Sequence, residues 1–263
     1  MVNASIIIPC FNNAHLTLEC VQSVISYTPD HIEIIIVDDH SEKQQLEELL
    51  KKIPDNQRKL AIYPSQTNKG FSSACNRGAK FAQRKSKILI FLNNDAVITK
   101  NWFSGFEKYM AGNGVCGSKL LYPEDKYSHI HGRSIQKGTI QHAGIVVENM
   151  MPVHKNRFEK SEKSDKSMTF PFVTGASFAI WKDLFEDLKG FSESYMNGCE
   201  DLDLCIRVRN RGLNIAYSNE SVAFHHETAT RNPETSAQNL KLFLEEHKSQ
   251  LEKDTDFVHQ ELV

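Results

Sequence analysis

Short apolar runs separated by helical patterns dominate the first hundred or so residues of the chain. The runs are rich in isoleucine, leucine and valine, which predicts strands that are buried on both faces of a sheet. They lie at residues 5–9, 32–37, 60–63 and 88–92. Between them, apolar residues recur at helical spacing, as at Ala14, Leu18, Val21 and Ile25. Strands that alternate with amphipathic helices predict crossover connections and a largely parallel sheet.

The pattern is less regular in the second half of the chain. Residues 122–169 are polar and punctuated by glycines. Their charged run at 155–166 predicts a solvated loop, with a mobile lid as the alternative, and we predict no chemistry in that run. The remaining predicted elements are strands at 115–120, 172–181 and 214–217 and helices at 200–207 and 234–251.

The last predicted helix carries an apolar stripe. The stripe consists of Ala237, Leu240, Leu244 and Leu251. Such a stripe is buried in a stable structure, so this helix either packs back on the domain or forms a homo-oligomer with a second subunit.

Composition narrows the class of protein. A length of 263 residues, with 40% hydrophobic and 24% charged residues, suits a single large α/β domain or two smaller ones. A net charge of −2 and the lack of a basic stripe argue against nucleic acid as a partner. Six scattered cysteines indicate reduced, mostly buried thiols. No apolar run approaches the roughly 20 residues of a transmembrane segment, which predicts no membrane span.

Carboxylates follow two of the predicted strands. The strand at 32–37 ends in Asp38 and Asp39, and the strand at 88–92 runs into Asn93, Asn94 and Asp95. In open α/β sheets, ligands bind beyond the carboxyl ends of the strands. These polar side chains therefore predict one binding site, with a carboxylate available as a metal ligand.

Residues 68–79 form a predicted helix start with many small side chains. Small residues either let the helix pack tightly on the sheet or let a ligand approach an N-terminus that favours anions. No Gly-x-Gly-x-x-Gly follows the first strand and no Walker lysine loop occurs, so dehydrogenases and P-loop proteins are disfavoured.

A second acidic cluster opens the predicted helix at 200–207. Glu200, Asp201 and Asp203 precede a group of arginines at Arg207, Arg209 and Arg211. Acids in the first turn and arginines in the last turn complement the helix dipole, which alone could explain the pattern. A catalytic role is the alternative.

These motifs, in this order, resemble the family 2 glycosyltransferases, which are inverting enzymes that use nucleotide-diphosphate sugars. The resemblance covers residues 5 to about 230. It implies an α/β GT-A fold, a single domain with a Rossmann-like mixed central sheet flanked by helices. A nucleotide-binding half at about 1–120 would precede an acceptor half at about 121–230, and 231–263 would form a C-terminal helix and tail.

The resemblance also implies roles for individual residues. It makes Asp201 the catalytic base and Asp95 and His225 the metal ligands, with His142 and His226 supporting or structural. It assigns acceptor-sugar contacts to Gly175, Glu200 and Asp203. It assigns the donor nucleotide to Pro9, Phe11, Asn12, Asp38, Asp39, Asn68, Lys69, Gly70, Asn76, Asn93 and Asn94.

The reaction that this resemblance implies needs a cation. Cleavage of the sugar–phosphate bond leaves extra negative charge on a nucleoside diphosphate, and a divalent ion offsets it. An imidazole ligand suits Mn²⁺ better than Mg²⁺, so we expect Mn²⁺. Two departures from the family pattern stand out: Asn93 replaces the first acid of the Asp-x-Asp motif, and residues 197–199 replace a Trp-Gly pair.

The implied function is transfer of a hexose or deoxyhexose to a glycan or a lipid-linked glycan in cell-surface polysaccharide biosynthesis. The expected location is cytoplasmic, with peripheral association at the inner face of the membrane as an option. One alternative is a non-catalytic sugar-nucleotide-binding or scaffold domain. Another is a nucleotidyltransferase, which would need a Gly-rich basic loop after the first strand, where residues 9–12 supply none. We expect the preferences for donor sugar, acceptor and linkage to lie in residues 122–169 and in the loop before Glu200.

Overall fold

The computed structural model describes residues 3–53, 60–129, 131–195, 197–226 and 233–263. Its strands are β1 (Ala4–Cys10), β2 (Glu33–Asp38), β3 (Leu60–Pro64), β4 (Ile88–Leu92), β5 (Ala96–Ile98), β6 (Asn113–Leu121), β7 (Lys126–Ser128), β8 (Arg133–Ile135), β9 (Ile140–His142), β10 (Ile145–Glu148), β11 (Met151–His154), β12 (Met168–Thr169), β13 (Ser177–Trp181) and β14 (Asn214–His225). Its helices are α1 (Ala14–Tyr27), α2 (Lys43–Lys52), α3 (Phe71–Phe81), α4 (Trp102–Met110), α5 (Lys182–Asp187), α6 (Glu200–Arg209) and α7 (Pro233–Asp254), with a 3₁₀ turn at Ser161–Ser164.

A mixed central sheet organises the fold. Its strand order is β12-β14-β6-β13-β4-β1-β2-β3, with β5 beside β14 and β9 beside β6. Strands β1 to β4 are mutually parallel, as the sequence predicts. Strand β13 runs antiparallel to both β4 and β6, and β14 is parallel to β6. The carboxyl ends of β1, β2, β4 and β14 therefore meet the amino end of β13 at one edge of the sheet.

Both faces of the sheet are covered. Because side chains alternate along a strand, Ile7 points to one face and Ile6 and Ile8 to the other, and all three are fully buried. The face of Ile7 packs against α3 and α6, and the opposite face packs against α1 and α4. The mixed α/β sheet flanked by helices is thus confirmed. All six cysteines are free thiols.

The small residues of α3 include one that packing alone explains. A Cβ added to Gly78 would lie 2.5 Å from Ile7 Cγ2 and 3.0 Å from Val37 Cγ2. The helix therefore lies directly on β1 and β2 at this point. For Gly78 the tight-packing interpretation is correct, whereas Gly70, just before the helix, lies at the cleft described below.

Helix α7 packs back on the domain. Phe243 and Leu251 are fully buried, and the Arg209 guanidinium donates to both carboxylate oxygens of Asp254 at 2.7 and 2.5 Å. The predicted stripe was partly wrong, since Ala237 is exposed and Asn239 is buried instead. The buried positions are Asn239 and Phe243 before a kink at His247, and Leu251 and Asp254 after it.

Other predictions need correction. Residues 122–169 contain the short strands β7 to β12, which carry no detectable period because each is only two to four residues long. Strand β13 begins at Ser177, and the preceding residues 172–176 lead into it. Strand β14 continues past 217 to His225. The predicted boundary near residue 230 lies outside the described residues. Within the described part, no helix is long and apolar enough to span a bilayer.

Gly78→Ala tests the close approach of α3 to the sheet. In a helix, alanine by itself is more favourable than glycine by about 0.5–1 kcal/mol. Here the added methyl group overlaps Ile7 and Val37, so we expect a net destabilisation of about 1–3 kcal/mol in urea unfolding. Lys80→Ala, an exposed change in the same helix, should stay within about 0.5 kcal/mol of the original protein. An unchanged Gly78→Ala midpoint would contradict the packing.

Candidate functional site

A cleft of about 680 Å³ opens at the sheet edge where the strand ends meet. This volume falls within the roughly 300–1,000 Å³ of typical small-molecule sites. Most of the residues predicted for the site line it. They are Pro9, Phe11, Asp39, Asn68, Gly70, Asn93, Asn94, Asp95, Gly175, Glu200, Asp201 and His225.

Five predicted residues do not line the cleft but lie in the structure around it. Asp38 accepts from the Ser41 backbone N–H at 3.3 Å, and Asn12 Oδ1 accepts from that of Glu42 at 2.9 Å. The Asp38 carboxylate thus supports the loop that follows β2. The other three are Lys69, Asn76 and Asp203.

The side chains of Asn76 and Asp203 are occupied by tertiary contacts. Asn76 donates to the Phe191 carbonyl at 2.9 Å and accepts from the Phe191 N–H at 2.8 Å. Asp203 pairs with Arg207 at 2.7 Å and faces His247 Nε2 at 3.3 Å. Both side chains hold together the elements behind the cleft. The donor and acceptor contacts expected of them stay predictions.

Asp39 lies at the end of β2 and shapes the loop before α3. Its carboxylate accepts from the backbone N–H groups of Lys69 at 3.1 Å and Gly70 at 2.7 Å. Burial raises the pKa of Asp39 above its ordinary value, and these two hydrogen bonds oppose the rise. The loop of residues 68–70 is thereby fixed to the strand end at this side of the cleft.

Asp95 and His225 form the centre of the cleft. His225 Nε2 lies 3.1 Å from Asp95 Oδ1 and 3.2 Å from the side-chain nitrogen of Asn93. Burial raises the pKa of Asp95, but the neighbouring His225 more than offsets this, so the pKa is lowered overall. Both side chains are nearly buried, at 7% and 8% exposure. Little water is left to solvate the pair.

The pair suits a divalent cation. Two neighbouring ligands of an octahedral ion, each about 2.1 Å from it, lie about 3 Å apart. The 3.1 Å separation of Asp95 Oδ1 and His225 Nε2 matches this geometry. The buried Asn93 Oδ1 beside them has no hydrogen-bond partner among the described atoms. No third histidine, cysteine or acid joins them within the described residues, so a bound ligand would complete the coordination.

Asp201 lies on another wall, at the first turn of α6. Its Oδ2 accepts from the Gly175 N–H at 2.7 Å and its Oδ1 from the Leu202 N–H at 2.9 Å. These bonds orient the carboxylate against residues 174–176. The neighbouring Glu200 accepts from the Gly198 N–H at 2.5 Å and shapes the loop that enters the helix.

Five cleft residues come from the irregular part of the chain at 122–169. They are Gln141, His142, Ile145, Pro152 and His154. Of these, only His142 was named from the sequence, as a supporting or structural residue. A glutamine beside a histidine was the only available signal, and only the pairing of β9 with β6 brings it to the site.

His142 is fully buried, and its protonation is set by its neighbours. Its Nε2 accepts from the Gly144 N–H at 3.2 Å, so Nδ1 carries the hydrogen and donates to His154 Nδ1 at 3.0 Å. Burial, followed by the charges of Arg157 and His225, lowers the pKa of His142 to about 3. His142 is thus neutral in the folded protein above about pH 3, and its supporting or structural role stays a prediction.

The sequence of this chain is similar to those of known proteins. A family profile described as Glycosyl transferase family 2 matches residues 5–189. The O-antigen biosynthesis protein RfbC of Myxococcus xanthus is 28% identical over 240 residues, covering 86% of this chain and 17% of its own length. The rhamnosyltransferase WbbL of Escherichia coli K12 is 25% identical over 202 residues, or 75% of this chain and 74% of WbbL. The chain thus spans a small part of RfbC.

A solved structure is also similar. The crystal structure of GalNAc-T7 with UDP, GalNAc and Mn²⁺ superposes with a TM-score of 0.71 and 18% identity, covering 93% of this chain and 48% of that one. At this identity the likeness concerns the fold alone. It confirms the GT-A architecture that the sequence motifs implied.

His142→Gln tests the buried neutral histidine. The unfolded state takes up a proton near pH 6.5, whereas folded His142 stays neutral down to about pH 3. Its contribution to stability is therefore complete above pH 6.5 and is lost as the pH falls toward 3. Between about pH 7.5 and 5, His142→Gln should lose about 2 kcal/mol less unfolding free energy than the original protein.

The measurement is urea unfolding across this pH range. The exposed His15→Gln variant controls for the substitution itself. Parallel pH curves for His142→Gln and the original protein would show that His142 is protonated when folded.

Proposed function

We propose, on the basis that the chain belongs to glycosyl transferase family 2, that it transfers a sugar from a nucleotide-diphosphate sugar to an acceptor hydroxyl with inversion. One observation carries the proposal, a continuous line of contacts across the cleft floor. Gly175 N–H donates to Asp201, Asn93 N–H donates to the Ala176 carbonyl at 2.8 Å, and the Asn93 side chain reaches His225 beside Asp95.

The donor nucleotide would bind along the ends of β1 to β4. Phe11 is 36% exposed at the cleft, which suits a flat contact with a nucleobase. Asp39 stands on the same side and can accept a hydrogen bond from a base or ribose. Asn68, Gly70 and Asn94 complete this wall.

Asp95 and His225 would hold the cation. When bound, a divalent ion would neutralise the charge that develops on the departing nucleoside diphosphate. Their buried carboxylate–imidazole pair fits Mn²⁺, and GalNAc-T7 was crystallised with that ion. Asn93 would contribute hydrogen bonds at this point.

Asp201 would act as the general base. An acceptor hydroxyl must lose a proton as its oxygen attacks the anomeric carbon, and a positioned carboxylate accepts it. The backbone N–H groups that bind Asp201 hold its carboxylate toward the cleft. Attack from the face opposite the leaving diphosphate would invert the anomeric configuration. Glu200 and Gly175 would border the acceptor sugar.

The biological context is part of the proposal. RfbC is named for O-antigen biosynthesis and WbbL as a rhamnosyltransferase. These names support a hexosyl- or deoxyhexosyltransferase of cell-surface polysaccharide assembly, with a glycan or lipid-linked glycan as acceptor. Such work would take place in the cytoplasm, next to the inner face of the membrane.

Asp95→Asn and Asp201→Asn separate binding from catalysis. Calorimetry with UDP-, GDP- and dTDP-sugars, with and without Mn²⁺, should find one donor whose affinity depends on the metal. Asp95→Asn should lose the metal-dependent part of that affinity, because it removes a charged ligand. Asp201→Asn should bind the donor normally but turn over about 10²–10⁴-fold more slowly.

Ser73→Ala, a change in α3 at a position that does not line the cleft, serves as the matched control. If no nucleotide sugar binds under any metal condition, the transferase proposal fails and a scaffold role takes its place. If Asp201→Asn turns over at the original rate, another residue is the base. NMR of the product reports whether the anomeric centre has been inverted.

A further inference from the structure

Gln141 contacts His225 through both ends of its side-chain amide. Its Nε2 donates to the His225 backbone carbonyl at 3.1 Å, and its Oε1 lies 2.6 Å from His225 Nδ1. The first bond fixes which end of the amide is nitrogen, since a carbonyl can only accept. The Gln141 oxygen must then face Nδ1, and a neutral His225 must carry its hydrogen there.

This hydrogen leaves the lone pair of His225 on Nε2. Nε2 is the atom that lies 3.1 Å from Asp95 Oδ1. A metal binds an imidazole through an unprotonated nitrogen, so the tautomer decides whether the ring can bind a metal beside Asp95. Histidine ligands commonly donate their other ring N–H to a fixed acceptor, which orients the ring. Gln141 supplies that acceptor here.

An irregularity in the pairing of two strands places Gln141 beside His225. In the pairing of β9 with β6, His142 lies opposite Leu120, but Ile140 lies opposite Leu121. Gln141 is thus the extra residue of a β-bulge. Bulges re-aim side chains next to active sites. The Gln141 side chain is 3% exposed, so its amide has little access to competing water.

We propose that Gln141 is a positioning residue that fixes the tautomer and orientation of His225 for metal binding. It acts through His225 and need not touch the substrate. The inference rests on the proposed function only in so far as His225 binds a metal. The tautomer itself is a property of the protein without metal.

The first test is ¹⁵N NMR of the histidine side chains in the metal-free protein. His225, assigned by its loss in His225→Gln, should carry a hydrogen on Nδ1, where the Gln141 oxygen accepts it, whether or not Nε2 also carries one toward Asp95. In Gln141→Leu this preference should weaken or reverse, because the acceptor for Nδ1–H is gone. An Nε2-protonated neutral ring in the original protein, or an unchanged ring in Gln141→Leu, would overturn the proposal.

The second test is Mn²⁺ affinity in the presence of UDP, followed by the loss of the free-ion signal in electron paramagnetic resonance. Gln141→Leu should bind Mn²⁺ about 10–100-fold more weakly. Gln141→Glu keeps an acceptor for Nδ1–H but loses the donor to the His225 carbonyl, so it should bind Mn²⁺ more tightly than Gln141→Leu. A Glu variant as weak as the Leu variant would contradict the positioning role.

Controls separate this inference from the proposed function. Gln136→Leu places the same substitution at an exposed site five residues away and should leave affinity and tautomer unchanged. Thermal unfolding establishes that each variant is folded, and Gln141→Glu provides the comparison if Gln141→Leu is not. If the original protein binds no Mn²⁺ with UDP, GDP or dTDP, the metal role fails, while the NMR result still decides whether Gln141 sets the tautomer.

Discussion

The direction of β13 determines where the functional groups of this protein can meet. Because β13 runs antiparallel between β4 and β6, the strands on both sides of it point the same way. The carboxyl end of β14, with His225, therefore reaches the same sheet edge as the carboxyl end of β4, with Asp95 beyond it. Asp201 joins them because residues 174–176, just before β13, contact both Asp201 and Asn93. If β13 were parallel to β4, its amino end and the Gly175 contact would lie at the opposite edge.

Strand ends were the part of the site that the sequence could predict. Long apolar runs have a clear physical signal, and the polar residues that follow them, such as Asp39 and Asp95, fall at the expected edge. Asp201 was harder, since acids in the first turn of a helix have an equally good explanation in the helix dipole. Its neighbour Asp203 belongs to the same motif, yet its carboxylate pairs with Arg207 and faces His247 on another helix. His247 lies 44 residues after Asp203 in the sequence, so no local pattern predicts this contact.

Sequence reasoning missed Gln141 for a physical reason. Gln141 lies on β9, a strand of three residues that is too short to show a period. Its position depends on pairing with β6 and on a bulge, which are tertiary features. The buried stripe of α7 was misjudged for a related reason, because Asn239 is buried where the apolar pattern pointed to Ala237. Whether a polar residue such as Asn239 is buried depends on the elements that pack against it, which a local sequence pattern does not show.

The separation of the two proposed metal ligands along the chain has a consequence for folding. Asp95 and His225, whose side chains meet in the cleft, are 130 residues apart in the sequence, and His225 is the last residue of β14. Strand β14 pairs with β6, and β6 pairs with β13, so the place of β14 in the sheet depends on both of these strands. A partly folded molecule that lacks β14 would hold only half of the ligand set. Affinity for the metal would therefore appear late in refolding. A chelator dye that reports free metal ion would show when the sheet is complete.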